Sequence, residues 1–584
     1  MFRMLRKIAE SVREYRKASL ATPVLVSFEV VLECIIPFVI AELVSQIESG
    51  CSMAVILRYG LWLIGMALLS LAFGTWAGKT CAVASCGLAR NLRRDMFYAV
   101  QGYSFHNIDR FSTSSLVTRL TTDVTNVQMA YMMLIRMAIR CPLMLVFAFV
   151  MAFVMGGKMA WIFVVVAPLL GAALFGISRK VMPLFRRVFR KYDAINASIQ
   201  ENIKGIRVVK SFVREEHEKQ KFGAAAEDVC RDFTRAERIL AYCGPMMQFC
   251  LYTVMVFVLS FGSYTIITSR GLDLNIGQFS ALLTYSFMIL NSLMMLSMVF
   301  VMIVMANESC RRIVEVLEET SDLTAPADPV HTVVDGSVEL DGVSFRYSEA
   351  AERMALSQVT LHIRSGETVG IIGGTGSAKS TLVQLIPRLY DATEGTVKVG
   401  GVDVRAYDPE ALREQVAMVL QKNVLFSGTI RENLRWGNPE ATDEELQHAC
   451  RLAQADEFIR QFPDGYDTYI EQGGANVSGG QKQRLCIARA LLKKPKILIL
   501  DDSTSAVDTR TDALIRKAMR EYIPTTTKII IAQRISSVED ADRIVVMDGG
   551  TVAAVGTHDE LMESNAIYRE IYISQNKAGD SGEQ

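Results

Sequence analysis

A glycine-rich segment has the residue types and the spacing that bind phosphate. It follows the apolar run 368–372, and its residues are Gly373, Gly374, Thr375, Gly376, Ser377, Ala378, Lys379, Ser380 and Thr381. Between a strand and a helix, such a loop offers backbone N–H groups to phosphate oxygens, while Lys379 reaches the β- and γ-phosphates and Ser380 the Mg²⁺ ion. Ala378 replaces the usual glycine; its Cβ is tolerable if φ is negative, and on that basis we expect nucleotide binding to survive.

Two acidic residues follow a second apolar run, 497–500. A carboxylate at the end of a buried strand beside a phosphate loop holds the metal ion, a role that we give to Asp501. The next acid, Asp502, stands where a group normally orients or polarises the attacking water.

The elements that position these residues alternate in type along residues 337–584. Strand-like runs at 338–340, 368–372, 497–500, 528–531 and 543–547 are separated by helical patterns, which predicts an α/β domain with a mostly parallel core sheet. A segment poor in periodicity, 319–336, precedes this domain and is predicted to be a linker.

Residues 1–318 are different in kind, because they contain six apolar stretches long enough to cross a bilayer. The predicted spans are 20–44, 59–82, 127–155, 159–177, 239–267 and 276–305. Apolar residues recur at helical spacing in the long loop after the fourth span, so we expect membrane helices to extend beyond the bilayer. The basic, amphipathic N-terminus predicts an interfacial helix ahead of the first span.

The net charge of zero hides two halves of opposite sign. Residues 1–320 carry 34 basic and 23 acidic side chains, a net charge of +11, and residues 321–584 carry 28 and 39, a net charge of −11. The balance argues against nucleic acid as a partner, since such proteins neutralise phosphates with excess basic residues. Because the positive charge concentrates in the long loops, these loops, the N-terminus and the α/β domain are predicted to be cytoplasmic.

Four charged residues fall within the predicted spans. Glu29 and Glu33 share one helix face in the first span, and Arg136 and Arg140 share one in the third. Intramembrane charges are costly unless they are paired or face water. Two interpretations stay open: a fixed contact between helices, or the polar lining of a substrate cavity.

A further motif precedes the acidic strand. The segment Asn476-Val477-Ser478-Gly479-Gly480-Gln481 resembles the signature of ATP-binding cassette (ABC) transporters. The resemblance covers nearly the whole chain and implies a half-transporter of the exporter (type IV) fold, which works as a dimer in a membrane with ATP and Mg²⁺. It also implies that Tyr347 stacks on adenine, that Gln421 contacts Mg²⁺ and that Asp508 belongs to the D-loop.

Two residues depart from the family pattern at the hydrolytic site. Asp502 stands where the family has a catalytic glutamate, and Gln533 where it has a histidine; with Lys379 they are the predicted catalytic residues. Loss of a methylene displaces the carboxylate, and glutamine carries no comparable charge. The signature residues, which the resemblance implies serve the partner's ATP, are intact: Ser478, Gly479, Gly480 and Gln481.

This asymmetry favours a heterodimer of the kind that exports drugs in bacteria, with a weakened site on this chain and a competent site on its partner's phosphate loop. The alternatives are a homodimer with two slow sites, an importer of the same fold such as a siderophore transporter, and a membrane-tethered ATPase. The last is disfavoured because a tether needs only one span. The substrate is open among small molecules, lipids and peptides, and the resemblance implies a bacterial cell membrane.

Overall fold

The structure is a computed structural model, and it describes residues 2–269, 274–348 and 351–580. The chain divides into two compact units. The first unit contains Met1–Gly102 and Phe111–Glu319, and the second contains Tyr103–Arg110 and Thr320–Gln584. The short segment Tyr103–Arg110 therefore belongs with the second unit, although it lies far from the rest of that unit in sequence.

Helices account for nearly all of the first unit. In chain order, and including α4 of the second unit, they are α1 (Phe2–Glu10), α2 (Arg16–Glu48), α3 (Met53–Gln101), α4 (Phe105–Arg110), α5 (Thr113–Thr118), α6 (Val124–Gly156), α7 (Trp161–Lys204), α8 (Ile206–Ser211), α9 (Glu215–Leu240), α10 (Cys243–Ser269) and α11 (Ile276–Glu318).

Six long helices carry the predicted spans. Five helical stretches of the described chain are long and apolar enough to cross a membrane, and one of them, Thr113–Phe185, contains both the third and the fourth predicted span. A single 3₁₀ turn, Gly157–Ala160, separates these two spans. Helix α7 continues to Lys204, as the helical spacing beyond the fourth span predicts.

The predicted start of the fifth span is wrong. The sequence places it at residue 239, but α9 ends at Leu240 and α10 begins at Cys243. Pro245 lies in the first turn of α10, where its missing N–H leaves no helical hydrogen bond unmade. The apolar run therefore crosses a helix boundary that the hydropathy pattern does not reveal.

Close backbone contact joins α2 and α11. Tyr285 is fully buried, and its hydroxyl donates to the carbonyl oxygen of Cys34 at 2.7 Å. Near the start of α11, an ideal Cβ on Gly277 would lie 1.9 Å from the carbonyl oxygen of Ala41. The two helices approach this closely only because residue 277 has no side chain.

The second unit contains a parallel sheet and an antiparallel sheet. Its strands are β1 (Val338–Phe345), β2 (Leu356–Ile363), β3 (Thr368–Gly373), β4 (Glu394–Val399), β5 (Val402–Asp403), β6 (Val416–Val419), β7 (Gly428–Thr429), β8 (Tyr469–Ile470), β9 (Ile497–Asp501), β10 (Thr527–Ile531), β11 (Arg543–Asp548) and β12 (Thr551–Gly556).

The predicted parallel core sheet has the order β12-β11-β3-β10-β9-β6, and only the edge strand β12 runs antiparallel to its neighbour. Strands β9 and β10 are buried along their whole length. The second sheet, β2-β1-β4-β5, is antiparallel; of its strands, the sequence predicted only the start of β1.

Helices pack on these sheets. They are α12 (Lys379–Gln384), α13 (Pro409–Gln415), α14 (Ile430–Arg435), α15 (Asp443–Leu452), α16 (Asp456–Gln461), α17 (Gly479–Leu492), α18 (Thr509–Tyr522), α19 (His558–Ser564) and α20 (Ala566–Asp580). The loops at the carboxyl ends of the parallel strands carry the candidate site.

Replacing Gly277 by alanine is expected to push α11 away from α2 and to destabilise the helical unit by about 1–3 kcal/mol, the usual cost of overpacking. Thermal unfolding of the purified protein in detergent measures this loss. The matched control is Gly65→Ala in α3, where an added Cβ meets no atom within 4 Å. Equal melting temperatures for the two variants would contradict the close approach at residue 277.

Candidate nucleotide-binding and intramembrane sites

The phosphate-binding loop lies between the end of β3 and the start of α12. Lys379 Nζ turns back over the loop and donates to the carbonyl oxygens of Gly373 at 2.8 Å and Gly374 at 2.9 Å. An ideal Cβ on Gly374 or Gly376 meets no atom within 4 Å, so this face of the loop is open. Backbone N–H groups and one lysine around an open face fit the phosphate chain of a nucleotide. Burial lowers the pKa of Lys379, and the nearby Asp502 and Asp501 oppose this shift.

From the sequence we required a negative φ at Ala378, and the structure does not have it. Its φ is +68°, in the left-handed region, and not negative. An L-residue with a Cβ is strained there by roughly 1 kcal/mol, whereas glycine is not. The face of the loop that would bind phosphate stays open. The effect of alanine in place of the usual glycine at position 378 is therefore backbone strain.

Oxygen atoms suited to Mg²⁺ gather beside the loop. Ser380 Oγ donates to Asp501 Oδ1 at 2.8 Å, and Asp501 is 2% exposed at the end of β9. Burial raises the pKa of Asp501, which the hydrogen bond from Ser380 opposes. Hydroxyl, carboxylate and amide oxygens are ligands that Mg²⁺ prefers. The donor set of Ser380, Asp501 and the nearby Gln421 therefore fits this ion.

Asp502 is held by the two glutamines that the sequence places in the site. Gln533 Nε2 donates to Asp502 Oδ2 at 2.7 Å, and Gln421 Nε2 lies 3.5 Å from the same oxygen. Burial raises the pKa of Asp502, and the amide hydrogen bonds from Gln421 and Gln533 oppose this shift. The fold thus brings together three segments that are far apart in sequence. The carboxylate is oriented by an amide, which cannot accept a proton from it as a base would.

Tyr347 lies beside α12. Its hydroxyl lies 2.9 Å from Thr381 Oγ1, its ring meets the ring of Tyr390 edge-on at 5.3 Å, and the residue is 43% exposed. An exposed aromatic ring fixed by these contacts is suited to stacking on a base.

Helix α4 adds residues that sequence reasoning did not connect with this site. Tyr390 donates a hydrogen bond of 2.7 Å to Asp109 Oδ2, and its ring contacts Phe105 at 6.0 Å. Nothing local in the sequence signals this contact, since more than 250 positions separate the partners. The aromatic ring of Tyr390 thus lies between α4 and Tyr347.

The signature residues form the N-terminus of α17. Ser478 caps this helix: its hydroxyl accepts from the backbone N–H of Gln481 at 3.3 Å, and the Gln481 side chain accepts from the backbone N–H of Ser478 at 2.9 Å. Gly479 and Gly480 follow, and an ideal Cβ on Gly480 would lie 2.8 Å from the carbonyl oxygen of Ala506. The signature therefore packs directly on the D-loop, residues 505–508.

Gln483 ties α17 to the D-loop, a role that the sequence did not indicate. The residue is 6% exposed; its amide accepts from the backbone N–H of Ala506 at 3.0 Å and donates to Ser505 Oγ at 3.3 Å. Ser505 Oγ in turn donates to the backbone carbonyl oxygen of Asp502 at 3.0 Å. Asp508 ends the loop and caps α18 through the backbone N–H of Thr511.

In the helical unit, three of the four intramembrane charges form one hydrogen-bonded group. Arg140 donates to Glu29 Oε1 at 2.6 Å and to both carboxylate oxygens of Glu33, at 2.8 and 2.7 Å. Arg136 lies one turn away on α6 and takes no part in these bonds. For the first three residues the arrangement is the fixed contact between helices, and Arg136 stands apart from it.

Comparison with known proteins places both units. A family described as the ABC transporter transmembrane region matches residues 20–294, and one described as ABC transporter matches residues 356–505. The chain is 35% identical over 552 residues to an uncharacterized ABC transporter ATP-binding protein of Bacillus subtilis, covering 94% of this chain and 95% of that protein.

Two further similarities bear on architecture. A multidrug efflux ATP-binding/permease protein of Mycobacterium tuberculosis is 33% identical over 482 residues, which cover 82% of this chain and 40% of that protein. The fold is that of a solved bacterial Atm1-family ABC exporter with ATP bound, with a TM-score of 0.79, 24% identity and 98% of each chain covered.

The Ala378→Gly substitution is expected to release the left-handed strain and to stabilise the second unit by about 1 kcal/mol. Gly376→Ala is the matched change of opposite sign, because Gly376 has a φ of +84° and no atom within 4 Å of an added Cβ. Melting of the ATP-binding unit within the full chain, followed with and without a nonhydrolysable ATP analogue, measures both. A lower stability for Ala378→Gly would refute the strain.

Proposed function

The chain belongs to the ABC transporter family, and on that premise we propose that it is one half of a heterodimeric exporter whose own ATP site hydrolyses slowly. As an ABC transporter it combines a membrane-spanning region with an ATPase unit. The finer assignments, to a heterodimer, to export and to a weakened site, rest on the arguments that follow.

The hydrogen bond between Gln533 and Asp502 carries the proposal. In it, the residue at the position of the catalytic glutamate is one methylene shorter and is oriented by an uncharged amide. A misplacement of about 1 Å lowers a rate by on the order of 100-fold. An amide also contributes neither the charge nor the proton transfer of the family's histidine.

The remaining groups of this site are suited to holding ATP. Lys379 and the backbone of its loop would bind the phosphates of ATP. Ser380, Asp501 and Gln421 would supply oxygens to Mg²⁺, and Tyr347 would offer its ring to adenine. When bound, Mg²⁺ neutralises charge that develops on the phosphates. This chain therefore contributes nucleotide affinity to its own site and little hydrolytic power.

The signature supports the asymmetric assignment. Its helix is capped, its two glycines are present and Gln483 fixes it to the D-loop. In the dimer that we propose, this surface completes the ATP site on the partner's phosphate loop, where hydrolysis takes place. ATP binding at both sites closes the dimer, and hydrolysis at the partner's site resets it.

Export is the direction that the similarities favour. The Mycobacterium tuberculosis relative is named as an efflux protein, and the fold is shared with an exporter. The basic N-terminus and the basic long loops support a cytoplasmic position for the N-terminus and the ATPase unit, through the positive-inside rule. We accordingly assign the protein to the bacterial cell membrane, as a multi-pass exporter of small molecules, lipids or peptides.

The first test restores the family residues. The double substitution Asp502→Glu and Gln533→His is expected to raise the ATPase rate by about 100-fold in the complex with a partner whose own phosphate-loop lysine is replaced. The reason is that the two substitutions restore the longer carboxylate and a group that can transfer a proton. Lys379→Ala in the same background is the control that should abolish the gain. An unchanged rate in the double variant, with ATP still bound, would contradict the weakened site.

A second test concerns the partner. The chain reconstituted alone in liposomes is expected to bind ATP but to show little ATPase activity and no ATP-driven accumulation of substrate. Robust, transport-coupled hydrolysis by this chain alone would overturn the heterodimer in favour of a homodimer. For a complex with its partner, uptake into inside-out rather than right-side-out vesicles is the result expected of an exporter.

A further inference from the structure

We propose that Arg136 binds an acidic group, a carboxylate or phosphate, of the molecule that the transporter moves. This inference deepens the proposed function and rests on it, because it names the chemistry of a ligand for the membrane-spanning unit. It starts from the different surroundings of two arginines one helical turn apart on α6.

Arg140 already binds two carboxylates of the protein itself. Its two terminal nitrogens make three hydrogen bonds to Glu29 and Glu33 on α2. Such multiple charge-assisted bonds are among the strong ones in proteins. Glu29, Glu33 and Arg140 therefore join α2 to α6, and of their four carboxylate oxygens only Glu29 Oε2 is buried without a partner.

Arg136 has no hydrogen bond or ion pair with the described residues. The Nε of Arg136 is buried and has no hydrogen-bond partner, but the side chain as a whole is partly exposed. Its two terminal nitrogens are not fully buried. It lies nine residues into the predicted span that starts at residue 127, which is about 13 Å along the helix. At such depth an arginine almost always faces a partner or a water-filled cavity.

The charge balance explains how the protein keeps these donors available. Arg140 and the two glutamates carry a formal net charge of −1, and Arg136, one turn along α6, brings the formal sum of the four residues to zero. The group of four is neutral, so its burial costs less than that of a lone arginine. The guanidinium can then offer its donors to an anion that arrives from the cytoplasm.

Helix α3 leaves room for the guanidinium. An ideal Cβ on Gly78 would lie 3.6 Å from Arg136 Nη1, an ordinary van der Waals distance. Arg136 has both charged and apolar neighbours on α6: Arg140 lies one turn further on, and Met132, one turn before, packs on the buried cluster of Cys81, Ala84 and Ile135. An acidic group attached to an apolar body matches this combination.

Gly78→Cys places a reporter thiol beside Arg136. The full-length variant, in phosphatidylcholine nanodiscs, is labelled with an anionic reagent, sulfonatoethyl methanethiosulfonate, or with a cationic one, trimethylammonioethyl methanethiosulfonate. Mass spectrometry of the peptide that carries residue 78 separates this thiol from the native cysteines. A nearby positive charge is expected to favour the anionic reagent by about tenfold, and the ratio cancels any change in the thiol's own reactivity.

A second substitution in the Gly78→Cys background shows which residue causes the preference for the anionic reagent. Arg136→Gln is expected to abolish it, Arg136→Lys to keep it, and Lys79→Gln, which removes the neighbouring exposed lysine, to leave it unchanged. Decanoate is expected to protect the introduced thiol at residue 78 from labelling, and its methyl ester is not. The labelling is then repeated in nanodiscs that contain phosphatidylglycerol. If the anion comes from an acidic lipid headgroup, this lipid alone will remove the preference for the anionic reagent. If the anion comes from a free acid, the preference will remain until decanoate is added.

A ratio that Arg136→Gln leaves unchanged, or equal protection by decanoate and its ester, would overturn the inference. Neither readout needs ATP or the second half-transporter, so both can fail while ATP-driven transport holds. The ATPase tests above decide the proposed function separately.

Discussion

The register of three parallel strands determines which groups meet at the nucleotide site. Ile371 of β3 pairs with Ile531 of β10, and Ile531 pairs with Asp501 of β9. Because the carboxyl ends of parallel strands meet at one edge, the phosphate loop, the two acids and the segment with Gln533 all emerge there. A slip of β9 by one residue would turn Asp501 to the opposite face of the sheet and break its contact with Ser380.

Motifs and strands of the second unit were largely predictable, since a buried parallel strand is a continuous apolar run. All five predicted strands lie in the structure; four of them have both ends within one residue, and β1 extends five residues beyond its predicted end. Strands such as β4 and β5 were not predictable, because their short sequences become strands only through pairing. The φ of Ala378 was likewise invisible, because tertiary packing and not residue type imposes it.

The membrane-spanning unit shows the limit of reading a face from sequence. The spacing of these residues in the sequence paired Glu29 with Glu33 and Arg136 with Arg140. It gave no reason to expect the two members of a pair to differ. The structure distinguishes them, because Arg140 stands between the glutamates while Arg136 does not. Spacing fixes which side chains share a helix face, but the height of one helix against another decides which of them meet.

The link from Gln483 through Ser505 ends on the backbone carbonyl of Asp502 and not on its side chain. A glutamate at position 502 offers the same carbonyl oxygen as the aspartate, so the D-loop keeps its anchor with either acid. Evolution is thereby free to vary the reactive group of one ATP site without disturbing the surface presented to the other. A lineage of such proteins can lose activity at one site by a single codon change and still retain a working interface.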